Sequence, residues 1–153
     1  LRTGINGKIF RIWKLRTMQL NAEVNGPQWT TSNDKRITRA GYFLRLSRID
    51  ELPQLFNILF GLMNFVGPRP LPKESYSTNK MMRYKLMRLS VKPGLTGLSQ
   101  INTSGKPRNM EEKLIYDLIY VKKRTLFLDL WIITKTINTL FTRFHINKSG
   151  ETL

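Results

Sequence analysis

The chain has 153 residues, with 26 Lys and Arg against 10 Asp and Glu, a single His and no Cys, and a formal net charge of +16. That length suits one domain with one buried core (1–153), and the composition excludes disulfides, thiolate metal sites and Cys-His or Ser-His catalysis. So positive a chain calls for an anionic partner, such as nucleic acid, an anionic membrane face or a phosphorylated small molecule; it has neither the roughly 18 uninterrupted apolar residues of a bilayer span nor a signal-peptide pattern.

Asn6-Gly7 is a strong hairpin signal, because both central residues of a type I′ turn need positive φ. The alternating run from Lys8 to Leu15 predicts a strand after it. Only Leu1 to Gly4 precede the turn, so the chain reads as one cut just inside a hairpin, with a naturally short edge strand as the alternative. Met18 to Val24 predicts a weak helix, stopped by the loop signal Asn25-Gly26-Pro27, and 28–34 predicts polar loop. Lys35 to Leu46 suits a short helix or turn, basic side outward and interrupted at Gly41. Its Arg36, Arg39 and Arg45 fit a phosphate-binding wall, although arginines in such a segment are as a rule simply solvated.

Next come two adjacent carboxylates, Asp50 and Glu51, with Pro53 close behind. Proline is tolerated in a first helical turn, so a helix is predicted from Asp50, with Asp50 as N-cap, Glu51 at N1 and Pro53 at N3. A carboxylate at that place stays ionised beside free N–H groups and the positive end of the helix dipole. It then suits a nucleophile or a metal ligand, and it equally suits an ordinary acidic first turn. Leu52, Leu55, Phe56, Leu59, Leu62 and Met63 recur at helical spacing and predict a core-facing side; Phe60, Phe65 and Val66 widen it, as in a helix that is buried or lies near lipid. Pro68 and Pro70 then make a stiff mount for Arg69, suited to a phosphate or to a rigid loop.

Lys73 to Leu89 predicts a basic, Met-rich helix, ended by Lys92-Pro93-Gly94 and Gly97, and neither glycine stretch has P-loop spacing. Asn109 predicts the N-cap of a helix through Lys122, with Glu111 and Glu112 in its first turn. Lys122 to Phe144 is apolar and aromatic with basic ends; it reads either as an interfacial helix on a membrane or as a core-facing helix with a solvated basic face.

DELPQ (50–54), the helix after it and VGPRP (66–70) together resemble the signature of the bacterial sugar transferases that are monotopic phosphoglycosyl transferases. GKIFRIWKLRTM (7–18), NDKRITRAGYFLR (33–45), VKPGLTGLSQIN (91–102) and EEKLIYDLIYV (111–121) fall in that family's order and at about its spacing. With the patterns above, the expected fold is α+β: helix-rich, with a small antiparallel β-hairpin and amphipathic membrane-surface helices. The resemblance implies that a phosphosugar moves from a UDP-sugar to polyprenyl (undecaprenyl) phosphate with release of UMP, at the cytoplasmic face of the bacterial inner membrane, to initiate exopolysaccharide, O-antigen or capsule assembly. It makes Asp50 the nucleophile and Glu51 its acidic partner, both ligands to Mg²⁺. It gives Arg69 to phosphate binding and makes Asp117 an acidic position of the family; with the cationic wall of Arg36, Arg39 and Arg45 these are the expected substrate-binding residues, and the resemblance places a membrane helix and a first hairpin strand upstream.

Two departures concern the site: the family's GDMS reads Gly61-Leu62-Met63-Asn64 here, and its QVNGR reads Gln100-Ile101-Asn102-Thr103-Ser104, without the arginine. An anionic membrane surface is an expected partner and nucleic acid is not, since the cations are interleaved with apolar residues and no recognition motif is present. The alternatives are a basic nucleic-acid-binding protein and a non-catalytic membrane-surface remnant of the transferase.

Overall fold

The computed structural model describes residues 1–22, 34–76, 82–102 and 110–148, without the side chains of 141 and 143–148. The expected loops at 25–33 and 105–107, the N-cap at Asn109, and the side chains of Phe141, Arg143, Phe144 and His145 lie outside the described residues.

The hairpin forms as its turn residues dictate. β1 (Arg2–Thr3) pairs antiparallel with β2 (Ile9–Phe10), Arg2 opposite Phe10 and Thr3 opposite Ile9. Asn6 and Gly7 both have positive φ (53° and 77°), and Lys8 N donates to Ile5 O at 3.1 Å, as in a type I′ turn. The strand stops at Phe10, short of the alternating run that predicted it, because the backbone from Arg11 onward pairs with other groups. The buried Asn57 side chain donates from Nδ2 to Arg11 O (2.9 Å) and accepts at Oδ1 from Trp13 N (3.1 Å), and Leu15 N donates to Asp50 O (3.0 Å). One amide thus stands in for a neighbouring strand.

The helix predicted from Met18 is not formed in 18–22. Met18 makes an antiparallel bridge with Ile37, Gln19 N donates to Arg36 O, and a turn with Asn21 at φ 63° follows. α1 (Arg39–Leu46) is capped by Thr38, whose Oγ1 accepts from Gly41 N at 2.9 Å. Gly41 does not interrupt this helix but lets it touch the chain beside it, since a Cβ there would lie 1.9 Å from Thr17 O.

The helix predicted from Asp50 is short and starts later. Arg48, left-handed at φ 59°, turns the chain into a single 3₁₀ turn, Ile49–Glu51, and Pro53 immediately precedes α2 (Gln54–Leu59). Asp50 is therefore not an N-cap; it sits inside the 3₁₀ turn. Gly61, at φ 70°, ends α2 in the left-handed conformation favoured after helix C-termini. α2 is also turned inside out relative to its pattern. Gln54 and Asn57 are buried, whereas Leu52, Leu55, Phe56, Leu59, Phe60 and Leu62 are exposed, Leu59 to 77%. Of the expected core face Met63 is buried, and the rest is a surface.

β3 (Asn64–Val66) pairs parallel with β4 (Gly94–Thr96), Asn64 opposite Gly94 and Val66 opposite Thr96. No sequence pattern announced this pair; its strands are three residues each. Gly94 allows the approach, since a Cβ there would lie 2.1 Å from Gly67 N. Between the strands, the predicted Met-rich helix appears as a 3₁₀ turn (Lys73–Tyr76), α3 (Met82–Met87) and a second 3₁₀ turn (Arg88–Ser90); residues 77–81 are outside the described set. Two of its cations, Lys85 and Arg88, are buried.

α4 (Leu98–Asn102), α5 (Met110–Lys123) and α6 (Leu126–Lys148) complete the chain. The run expected from Lys122 divides at Arg124-Thr125, where Thr125 Oγ1 accepts from Leu128 N. The core gathers Val66, Leu98, Tyr120 and Ile132, with Ile101, Tyr116, Leu128 and Ile133 packed against it. In α6 Ile132 is fully buried, while Leu126, Phe127, Leu130 and Trp131 are exposed and Lys135 Nζ lies 5.8 Å from the centre of the Trp131 ring. Among the described residues, no helix is long and apolar enough to cross a membrane. The architecture is helix-rich α+β with a small antiparallel hairpin, as expected, plus the parallel pair.

Candidate active site

Asp50 and Glu51 share a tight turn but have different surroundings. Three residues per 3₁₀ turn set neighbouring side chains about 120° apart, so the two cannot face one point. Arg48 makes this turn, with Glu51 N donating to Arg48 O (3.0 Å) and Leu52 N to Ile49 O (3.1 Å). A left-handed non-glycine residue costs about 1 kcal/mol or more, and such strain collects at functional sites.

Glu51 is enclosed by cations. Its Oε1 lies 2.9 Å from Lys14 Nζ and 2.6 Å from Arg69 Nη2, and its Oε2 lies 3.5 Å from Arg48 Nη1. Burial alone would push this carboxyl upward; Arg69 and then Lys14 outweigh it and hold Glu51 well below the usual carboxylate range. Lys14 is lowered, by burial first and by the Arg69 charge second, with Glu51 opposing.

Asp50 is the opposite case. It is 7% exposed and its Oδ1 is buried without a hydrogen-bond partner. Burial, and then the Glu51 charge, raise its pKa above the ordinary 3.8, against Lys14, Arg48 and Arg45. The cap that was to keep Asp50 ionised is absent; Lys14, Arg48 and Arg45 favour its charged form, against burial and Glu51.

The other expected site residues divide. Arg69 reaches Glu51 directly, as above. Arg45 donates from Nε to Thr17 Oγ1 (2.7 Å) and its charge bears on Asp50. Arg36 is held elsewhere: Nε and Nη2 pair with Asp34 at 2.9 and 2.6 Å, and Nη1 donates to Ala22 O. Arg39 opens α1 at an exposed position, and no described contact joins it to either carboxylate. Asp117 is buried with its Oδ2 2.6 Å from Arg88 Nη2, and burial raises its pKa against the pull of Arg88 and Ser99. It meets the site through Arg88, whose Nη2 donates to Arg69 O at 2.6 Å.

Lys14, Arg48 and Arg88 were not singled out by sequence. Lys14 lies in an alternating run with no mark of chemistry, Arg48 matters through a left-handed φ, and Arg88 is one of several cations in its segment.

The donor set bears on the expected Mg²⁺. Both Glu51 oxygens face cations, which leaves no room for a divalent ion, and no group of three His, Cys, Asp or Glu lies together among the described residues. Asp50 does fit, since its Oδ1 has no partner and Mg²⁺ is commonly held by one or two carboxylates with substrate phosphates and water.

The sequence family described as bacterial sugar transferase matches residues 1–143. The chain is 40% identical to a UDP-glucose:undecaprenyl-phosphate glucose-1-phosphate transferase of Klebsiella pneumoniae, over 98% of this chain and 32% of that protein. It is 37% identical to a UDP-N-acetylgalactosamine-undecaprenyl-phosphate N-acetylgalactosaminephosphotransferase of Aeromonas hydrophila, over 94% of this chain and 34% of that protein. A UDP-glucose:undecaprenyl-phosphate glucose-1-phosphate transferase of Caulobacter vibrioides is 37% identical, over 92% of this chain and 55% of that protein. The chain thus spans about a third of the length of the first two relatives and just over half of the third. The matched residues include the buried carboxylates and the cations around them, and this chain belongs to the bacterial sugar transferase family.

Proposed function

We propose that this chain carries the catalytic centre of a transferase that moves a phosphosugar from a UDP-sugar to a polyprenyl phosphate, releasing UMP, at the start of a polysaccharide. The observation that carries the reading is the contrast between the two carboxylates. Glu51 is saturated by cations, whereas Asp50 is buried with an oxygen that nothing claims. A carboxylate needs no base to act as a nucleophile, only desolvation and a fixed aim. Lys14, Arg45, Arg48 and Arg69, four cations against the two carboxylates, leave a surplus of two positive charges, which suits a diphosphate.

In the first step an Asp50 oxygen bonds to the phosphorus next to the sugar, and the bond from that phosphorus to the UMP oxygen breaks, UMP leaving with the electron pair. In the second, an oxygen of the polyprenyl phosphate bonds to the same phosphorus and the bond to Asp50 breaks, restoring the carboxylate. Mg²⁺ would be held by Asp50 and the donor's phosphates, and when bound it supplies neutralisation of the diphosphate charge. Glu51 keeps Arg69 and Lys14 in place beside the reacting carboxylate. The exposed apolar sides of α2 and α6, on so cationic a chain, support an anionic membrane surface as the place of work.

The test is the full-length protein incubated with a panel of UDP-sugars and Mg²⁺ without acceptor. Mass spectrometry is expected to find a phosphosugar on the DELPQ peptide. Asp50→Asn is expected to abolish it and to slow UMP release by about 1,000-fold or more. Near-normal turnover of Asp50→Asn overturns the assignment.

A further inference from the structure

Arg69 stands between two prolines, and this decides how its backbone is held. Pro68 and Pro70 have no N–H, so the segment is fixed largely through its carbonyls. Three of them accept from three other parts of the chain: Pro68 O from Gly94 N (3.0 Å), Leu71 O from Thr3 N (3.0 Å) and Arg69 O from Arg88 Nη2 (2.6 Å). The first two donors are backbone. The third is a guanidinium only 3% exposed, and Asp117 holds it in turn, with Oδ2 2.6 Å from the same Nη2.

A buried Arg–Asp pair is a poor device for stability, because desolvating two charges offsets most of their attraction, and well-packed apolar residues do as well or better. Apolar residues would not donate to the Arg69 carbonyl. Nor is this pair built as a bidentate fork: Arg88 Nε and Asp117 Oδ1 have no hydrogen-bond partner, and one nitrogen makes both contacts.

We propose that Arg88 and Asp117 are positioning residues for the catalytic centre. Asp117 fixes the Arg88 guanidinium, Arg88 clamps the carbonyl of Arg69, and the clamp sets the Arg69 guanidinium against Glu51, 2.6 Å away. Asp117 thus acts at one remove from substrate. Because a single nitrogen makes both contacts, a lysine ammonium, with three donors on one atom, retains part of the function, and a methionine retains none.

The first arm of the test needs no turnover. In the full-length protein labelled with ¹⁵N at arginine, the Arg69 guanidinium signals are identified by their loss in Arg69→Ala and followed at pH 7. A guanidinium held against Glu51 is expected to give separate, slowly exchanging Nη signals in the wild type, to give an averaged signal in Asp117→Asn and Arg88→Met as Arg69 lets go, and to average only in part in Arg88→Lys. The second arm is UMP release, and it rests on the transferase reading. Asp117→Asn is expected to lower kcat by about 100-fold, the scale of an approximately 1 Å misplacement. In an Arg69→Ala background the same substitution is expected to change kcat by less than about twofold, since no guanidinium remains to be placed. Equal losses in both backgrounds with unmoved Arg69 signals mark a merely structural pair and overturn the proposal. If the wild type releases no UMP from any UDP-sugar, the transferase reading falls and the Arg69 signals alone decide. If Asp117→Asn does not fold, Arg88→Lys decides by the same signals.

Discussion

At the residue scale, the site works by giving two neighbouring carboxylates opposite environments. Glu51 has a depressed pKa, so its stabilising contribution is present above the ordinary value of 4.5 and is lost as pH falls below it. Its partners Lys14 and Arg69 have side chains exposed to 32% and 38%, so the contribution lies between that of a surface pair and a buried one. Glu51→Gln is therefore expected to cost about 2 kcal/mol at pH 7, measured by urea unfolding, and the difference is expected to shrink steadily below about pH 4.5. A difference that persists unchanged at pH 3.5 contradicts the ion-pair account. The acidic pair and Arg69 were legible in the sequence, because DELPQ and the Pro-Arg-Pro mount are local patterns. Lys14 was not, since only a closure of the chain 37 residues long brings it to Glu51. Arg36 and Arg39 looked like part of the same wall as Arg45, but the turn at 34–37 gives Arg36 to Asp34 and α1 leaves Arg39 at its exposed start.

At the element scale, α2 shows what periodicity does and does not say. The spacing of Leu52, Leu55, Phe56 and Leu59 correctly marks one apolar side, but a hydrophobic stripe does not say whether protein, lipid or another chain lies against it. What faces inward is decided by backbone groups that need partners: among the described residues no strand lies beside 11–13, and the Asn57 amide supplies both a donor and an acceptor. Asn57→Ala leaves the part-buried Trp13 N–H and Arg11 C=O without their partner, and is expected to cost about 1–3 kcal/mol in urea unfolding. Phe60→Ser, on the exposed side, is expected to change stability by less than about 0.5 kcal/mol. The reverse ranking contradicts the inside-out reading of this helix. The hairpin and α5 were legible because turn chemistry and first-turn charge are local. The parallel β3–β4 pair was hidden, since strands of three residues carry no period and their closeness depends on the bare Cα atoms of Gly67 and Gly94.

At the scale of the whole molecule, a charge of +16 and two exposed apolar surfaces act together. Each cation near an anionic bilayer contributes about 1 kcal/mol, an effect that salt screens, while apolar contact is salt-insensitive. Sedimentation is expected to show binding to anionic vesicles that weakens steeply with added salt, weaker binding to neutral vesicles, and a further loss for Phe60→Ser on both. Equal binding to both compositions, or none to either, contradicts the electrostatic part. The class of the fold, helix-rich α+β, was readable from helical spacing and turn signals; the site was less so, because its parts are spread along the chain from Lys14 to Asp117. That spread has a consequence during synthesis. A ribosome adding about 5–20 residues per second takes several seconds to pass from residue 51 to residue 117. By then Glu51 has had its partners Lys14, Arg48 and Arg69 on the chain for most of the interval, whereas Arg88 waits for the carboxylate it meets in the folded chain. A chain released before α5 carries the cation at 88 without that anion, and so presents to the quality-control proteases a site with one charge unmatched.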